Sequence, residues 1–298
     1  MENQRQDKQY REAVVSFIDI LGFKDMITNR TANEVYNIYQ LFHFQSHKKS
    51  QSDFEERSGL SLEYEVYSFS DSVVRIKYVN DNDIAFLVEN DEILSLGTIQ
   101  NELFKKGVMI RGGVVRGLIY SEPTSNTLYG PALNEAYRLE NELAKTPRII
   151  LSNQVVQNYM RDMFSPAHWI KQNGLGNREE IKCLPNTEPF FINYFWGSFV
   201  SLYQLLAIKR DTGLEIGNGM EEYVTNFLSL YHDLKNKAEN NIYNESTKLK
   251  FKWCKDNMHE TIKDICEWIE VGFHDFHIVS HDTHKILKEQ SEIYLNKK

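Results

Sequence analysis

Apolar and polar positions follow two different periods along the first half of the chain. Residues 14–20 form a short apolar, β-branched run, the pattern of a strand buried on both faces. Over residues 25–47, Ile27, Val35, Ile38, Tyr39, Leu41 and Phe42 recur at helical spacing and predict one helix. Leu62, Tyr64 and Val66 then alternate with Ser61, Glu63, Glu65 and Tyr67, a period of two that predicts a strand. A further strand over residues 73–79 completes a hairpin with Asp71 near its turn. Residues 83–106 read as a helix ended by Gly107, and residues 108–115 as a strand. Residues 128–146 contain a helix that Pro147 helps to stop, before a strand at 148–151. A helix, a hairpin, a second helix and a return strand make the βαββαβ order of a ferredoxin-like α+β fold.

The second half changes character. Residues 190–195 are predicted to be a closing strand, and residues 217–237, 248–270 and 281–295 carry long helical patterns. An Asn- and Glu-rich loop at 239–247 separates two of them. The chain therefore reads as a domain over residues 1–200 and a helical C-terminal extension over residues 201–298.

Composition narrows the function. The 298 residues carry 34 Lys+Arg against 42 Asp+Glu, a net charge of −8, which argues against binding nucleic acid through bulk charge. A hydrophobic fraction of 41% and an aromatic fraction of 12% supply a real core. No apolar run approaches the roughly 18–20 residues of a membrane helix. The polar first dozen residues predict no signal peptide. Cys183, Cys254 and Cys266 have no CxxC spacing, which fits a reducing compartment without disulfides or zinc. A cytoplasmic protein with no membrane or nucleic-acid partner is expected.

Several residues stand out chemically. Asp19 ends an otherwise apolar strand, where an ionised carboxylate needs a partner such as a metal ion, or else caps the next helix. Asp71 sits at a hairpin tip, a common place for Asp on local grounds alone. In a ferredoxin-like sheet the first strand lies beside the hairpin, so both carboxylates can reach one divalent-ion site of the Mg²⁺ or Mn²⁺ type. Asn134 and Arg138, four residues apart, share one helix face and suit a developing phosphoryl charge. Arg111 interrupts an apolar strand, where it either donates to a bound group or pairs with a nearby Glu.

These residues fall in segments that resemble class III nucleotidyl cyclases. The run from Phe17 through Asp19, Ile20 and Gly22 to Phe23 resembles their first metal motif, and Phe69-Ser70-Asp71-Ser72 their second. Residues 111–117 are similar to their glycine-bearing fourth strand, and residues 129–140 to their transition-state helix. The resemblance implies that Asp19, Asp71 and the backbone carbonyl of Ile20 hold two Mn²⁺ or Mg²⁺ ions. It implies catalytic roles for Asn134, on the ribose, and for Arg138, on the α-phosphate. Phe23, Tyr67, Arg111 and Thr127 are expected to bind substrate; the family's Lys-bearing triphosphate segment has no clear counterpart in this chain, and Lys182 is the nearest candidate. The resemblance also implies a homodimer with two sites at its interface and a nucleoside triphosphate as substrate.

The departures concern the base. Tyr67 stands where adenylate cyclases of this class have Lys and guanylate cyclases have Glu, and Thr127 aligns with the second base-reading position. A bulky ring shortens the pocket and suits a single-ring base. By period two, Tyr67 projects away from the face of Leu62, Tyr64 and Val66. With Ser70-Asp71 in place of Gly-Asp, and Arg111 able to donate to a pyrimidine, the chain most resembles the bacterial pyrimidine cyclases of Pycsar antiphage defence. That implies cyclic UMP or cyclic CMP as a messenger to a separate effector. A catalytically silent nucleotide-binding sensor and a purine cyclase are the alternatives.

Other clusters read as structure. His274, His277, His281 and His284 are spaced along one helical face but lack a Glu-x-x-His partner, so a polar surface is expected. Trp253, Trp268 and Phe273 read as packing residues, and Lys105-Lys106 as complement to a helix C-terminus.

Overall fold

The structure is a computed structural model that describes residues 8–47, 62–80, 85–161, 181–182, 189–195 and 219–272. The predicted helix at 281–295, the four-histidine cluster, Phe273, Cys183 and the side chains of Cys266, Trp268 and Lys182 lie outside the described residues. The chain divides into two compact units: the first holds the sheet up to Ile192, and the second the described residues from Asn193 onward.

The first unit is a mixed α+β domain. Its strands are β1 (Arg11–Ile20), β2 (Tyr64–Phe69), β3 (Ser72–Tyr78), β4 (Ile110–Glu122), β5 (Thr127–Tyr129), β6 (Ile149–Leu151), β7 (Ile181–Lys182) and β8 (Phe191–Ile192). Its helices are α1 (Phe23–Asn29), α2 (Ala32–His47), α3 (Ala85–Lys105), α4 (Pro131–Arg138) and α5 (Asn153–Arg161). The sheet runs β2-β3-β1-β4-β6-β8-β7, with β5 paired to β4 off this path. Strands β1 to β4 are antiparallel to their neighbours, and β6 joins β4 in parallel. With α1 and α2 following β1 and α3 following β3, α2 and α3 packing on one face, the four central strands have the ferredoxin-like order that the βαββαβ pattern predicts.

Strand β1 is buried on both sides, as its apolar run requires. Val14, Ile18 and Ile20 join Val88, Ile93, Leu96 and Leu103 of α3 in one core. Ala13 and Val15 join Val74, Ile76, Val115 and, from the helix α4, Ala132 and Ala136 in the other. The second face relies on a very close approach: a Cβ on Gly113 would stand 2.4 Å from the Ala136 carbonyl oxygen and 2.6 Å from Leu139 Cβ. Only glycine in β4 lets α4 lie this near the sheet.

Four elements differ from the sequence reading. The single helix at 25–47 is two, because Thr31 and Glu34 form a capping box: Glu34 Oε2 accepts the Thr31 N–H at 2.8 Å, and Thr31 Oγ1 accepts the Glu34 N–H at 3.4 Å. Strand β4 runs on to Glu122, since β1 begins at Arg11 and pairs with it as far as Ile119, and β5 pairs with it from Tyr120 to Glu122. The long helix at 128–146 is α4 followed by a π-turn over Leu139–Leu143, closed by Ala144 N–H donating to the Leu139 carbonyl at 3.0 Å. The closing strand at 190–195 is shorter, because Tyr194 and Phe195 have already turned helical. Gly107, at φ 75°, ends α3 as expected.

The second unit contains α6 (Gly219–Glu239) and α7 (Glu245–Gly272), packed as a helical hairpin. Asn244 caps α7 by accepting the Thr247 N–H at 2.8 Å, so the helix starts three residues before the predicted 248. Cys254 is fully buried there, its thiol pushed up to about 12 by burial. Among the described residues no helix is long and apolar enough to cross a membrane.

Candidate active site

The site lies where β1 ends beside the β2–β3 hairpin. Asp19 is in register with Ser72 on one side and Arg111 on the other. The hairpin turns on Ser70 and Asp71, and the Asp71 carbonyl accepts the Ile20 N–H at 3.1 Å. One backbone hydrogen bond thus ties Asp71 to the residue that follows Asp19, across a long stretch of sequence.

Asp19 is mostly buried, its side chain 14% exposed. Burial pushes its carboxyl up to about 6; the charge of Asp71 pushes the same way, while the Ser72 hydroxyl, donating at 2.9 Å, and Arg111 oppose it. Arg111 Nη2 stands 3.5 Å from Asp19 and 2.6 Å from Glu140. Arg111 thus forms the ion pair with a nearby Glu that the sequence allowed. Glu140 is buried, and burial pushes its carboxyl up to about 7, with Asp19 and Asp71 adding repulsion against the pull of Arg111 and Lys145.

Glu140 escaped the sequence reading. Its signal was there: it follows Ala132 and Ala136 at intervals of four, so it falls on the buried stripe of the helix, where a carboxylate needs a partner.

Charge and donor type test whether a divalent cation fits. One guanidinium contacts a cluster holding the carboxylates of Asp19, Asp71 and Glu140, and hard oxygen donors suit Mg²⁺ or Mn²⁺. Among the described residues no group of three or more His, Cys, Asp or Glu is placed to hold a metal ion. A cation held by Asp19 and Asp71 would need its remaining ligands from backbone, water and substrate oxygens, as is usual for Mg²⁺.

Asn134 and Arg138 lie elsewhere. Ala132 and Ala136 face the sheet, so Asn134 and Arg138 project outward from α4. Arg138 is held in a bidentate pair with Glu135, both contacts at 2.7 Å, and reaches Glu142 at 3.4 Å. Within one chain they do not meet Asp19 or Asp71.

Tyr67 faces as its period predicts, packed with Val74, Ile76 and Val115 on the Asp19 side of the sheet. It shares a register row with Val74 and Phe17, two residues before Asp19. Its hydroxyl donates to Glu65 at 3.2 Å, and burial pushes its pKa up to about 12. Thr127 starts β5, its hydroxyl 2.7 Å from that of Ser125. Phe23 opens α1 and lines a separate open cavity of about 400 Å³ between α1 and α2, with Ile27, Val35, Tyr36 and Tyr39. Lys182 lies on β7, its backbone paired with Phe191.

Fold and site together define a ferredoxin-like α+β domain with paired carboxylates at one end of its sheet. No protein-family model matches the chain, and no curated protein matches it in sequence. The solved structures similar to it include two from P. aeruginosa. One is the adenylyl cyclase CyaB from P. aeruginosa, at 15% identity and a TM-score of 0.40, over 62% of this chain and 93% of that one. The other is a class III adenylyl cyclase-like ATP-binding protein from Pseudomonas aeruginosa, at 12% identity and a TM-score of 0.33, over 50% of this chain and 35% of that one. The chain thus spans about a third of the second protein. The fold assignment itself rests on the strand order.

Proposed function

We propose that this chain is a class III-type nucleotidyl cyclase that converts UTP or CTP into the 3′,5′-cyclic monophosphate and pyrophosphate. The observation that carries the reading is the meeting of Asp19 and Asp71 at one end of the sheet, in a cluster with more carboxylate than cationic charge.

Asp19 and Asp71, with the Ile20 carbonyl, would hold Mn²⁺ or Mg²⁺. Bound there, the cations would lower the pKa of the ribose hydroxyl and neutralise the triphosphate. In the reaction the ribose 3′-oxygen forms a bond to the α-phosphorus, the bond from that phosphorus to the bridging oxygen breaks, pyrophosphate leaves, and the hydroxyl proton passes to solvent. Asn134 orients the ribose, and Arg138 stabilises charge on the α-phosphate. Both project outward on α4, away from the carboxylates of their own chain, which supports a homodimer in which each chain completes the other's site. Substrate binding therefore frees Arg138 from Glu135 and Glu142.

The base is read by Tyr67 and Thr127, and the buried bulk of Tyr67 favours a pyrimidine. Arg111, already against Asp19, belongs to the substrate-binding end of the site, and Lys182 is the proposed triphosphate ligand. The product would act in the cytoplasm as a messenger to a separate effector in antiphage defence.

Product identity tests the reading. Purified protein is incubated with Mn²⁺ and each of ATP, GTP, CTP and UTP, and the products are resolved by mass spectrometry. A cyclic pyrimidine monophosphate is expected. Cyclic AMP or GMP would retain the reaction and overturn the base assignment, and no product from any of the four would favour a silent nucleotide sensor.

A further inference from the structure

We infer that His43 is a positioning residue for the Asp71 turn, an inference that rests on reading Asp19 and Asp71 as a cation site. The hairpin turns on two residues, and Ser70 holds φ at 53°, in the left-handed region that glycine prefers. A side chain there costs about 1 kcal/mol, so the turn needs support from outside itself.

The C-terminal half of α2 supplies that support. His43 Nε2 donates to the Ser70 carbonyl at 3.3 Å, and its ring lies 4.0 Å from the Tyr39 ring. One helical turn further, His47 Nδ1 donates to the His43 carbonyl at 2.8 Å while its Nε2 accepts the Ser68 hydroxyl at 3.3 Å. The helix end is anchored in turn: Arg75 Nη1 donates to the Ser46 carbonyl at 2.5 Å, and the Tyr64 hydroxyl donates to it at 3.1 Å. Burial lowers the His43 pKa and so favours the neutral ring, and the Ser70 carbonyl, which can only accept, places the ring proton on Nε2.

The turn is therefore held from two sides. The Ile20 N–H of β1 grips the Asp71 carbonyl, and His43 grips the carbonyl of the residue before it. Freed from His43, the turn would widen the range over which Asp71 points, and cation affinity would fall. Partners that hydrogen-bond a metal ligand directly are worth about 10–100-fold in metal affinity, and His43, one residue removed, is expected at the lower end of that range.

The test is titration of Mn²⁺ into the full-length chain by calorimetry, with thermal melts alongside. His43→Phe keeps a ring against Tyr39 but removes the donor; His43→Gln returns an N–H near the Nε2 position. The expected result is affinity about tenfold weaker for His43→Phe, at a little-changed melting temperature, and largely recovered in His43→Gln. If His43→Phe does not fold, His43→Leu puts the same question. Equal affinity in His43→Phe and wild type would overturn the inference while leaving the cation site standing. Weakening of both variants alike would also overturn it, since packing rather than the donor would then matter. No Mn²⁺ binding by the wild type would overturn the cation site and the inference with it.

Discussion

Two clusters of charge on opposite faces of the same sheet behave in opposite ways. Beneath α3, Arg75 and Lys77 of β3 meet Glu92 and Asp91. Arg75 forms a bidentate pair with Glu92 at 2.8 and 3.0 Å, and Lys77 Nζ lies 2.9 Å from Glu92 and bonds to Asp91. Two cations balance two carboxylates, and the Arg75 and Lys77 charges hold Glu92 down at about 2 against its burial. At the end of β1, by contrast, burial and mutual repulsion push Asp19 up to about 6 and Glu140 up to about 7, with Arg111 as the cation in contact. A balanced buried network is a structural element. An unbalanced one, opening at a sheet end, is where a bound cation does the most to lower electrostatic energy.

The comparison is sharpest where a single neutral substitution has unlike effects. Asp71→Asn is expected to abolish turnover while the domain stays folded, read by nucleotide product and circular dichroism; retained turnover would remove Asp71 from the site. Arg75→Met does the reverse. It leaves Glu92 buried without its bidentate partner and is expected to cost about 3–5 kcal/mol in denaturant unfolding.

Gly113→Ala tests whether the site depends on the close seating of α4. The added methyl has to push Leu139, and Glu140 beside it, off β4, at a cost of about 1–3 kcal/mol in the same unfolding experiment.

Acid titration separates the clusters by sign. Asp19 and Glu140 have folded pKa values above their ordinary 3.8 and 4.5, so their protonation should raise stability as pH falls from about 7 toward 4.5. Glu92 has a folded pKa below its ordinary 4.5, so its contribution is full above that value and is lost as pH falls on through about 2. Thermal melts across this range should give a maximum at mildly acidic pH, and a steady loss from neutrality downward would contradict the contrast. The smallest effect is expected for Ser70→Gly, which relieves the left-handed turn but frees the unfolded chain, for a net gain of under about 1 kcal/mol.

Much of this was legible in the sequence because it is local. The apolar run of β1 interrupted by Asp19, the period-two strand before the hairpin, and Gly107 after α3 each announce themselves within a few residues. The Thr31–Glu34 box was equally local, a Thr-x-x-Glu pattern hidden within a longer helical period. The buried ion network was not legible, because Arg75 and Lys77 alternate in β3 as solvent-facing residues would. Only the arrival of Glu92 and Asp91 on α3 turns that face into an interior. Glu140 and His43 were missed for a related reason: each acts on a residue distant in sequence, Arg111 and Ser70.

The central claim is that the cluster at the end of β1 is a cation site in waiting. Calorimetric titration of the full-length chain with Mn²⁺ at pH 5.5 and pH 7.5, beside Asp19→Asn, tests it most directly. Since protons compete for a carboxylate that titrates near 6, the account predicts binding that tightens several-fold at the higher pH and is lost in Asp19→Asn. Absent binding in the wild type, or binding indifferent to both pH and Asp19, would contradict it.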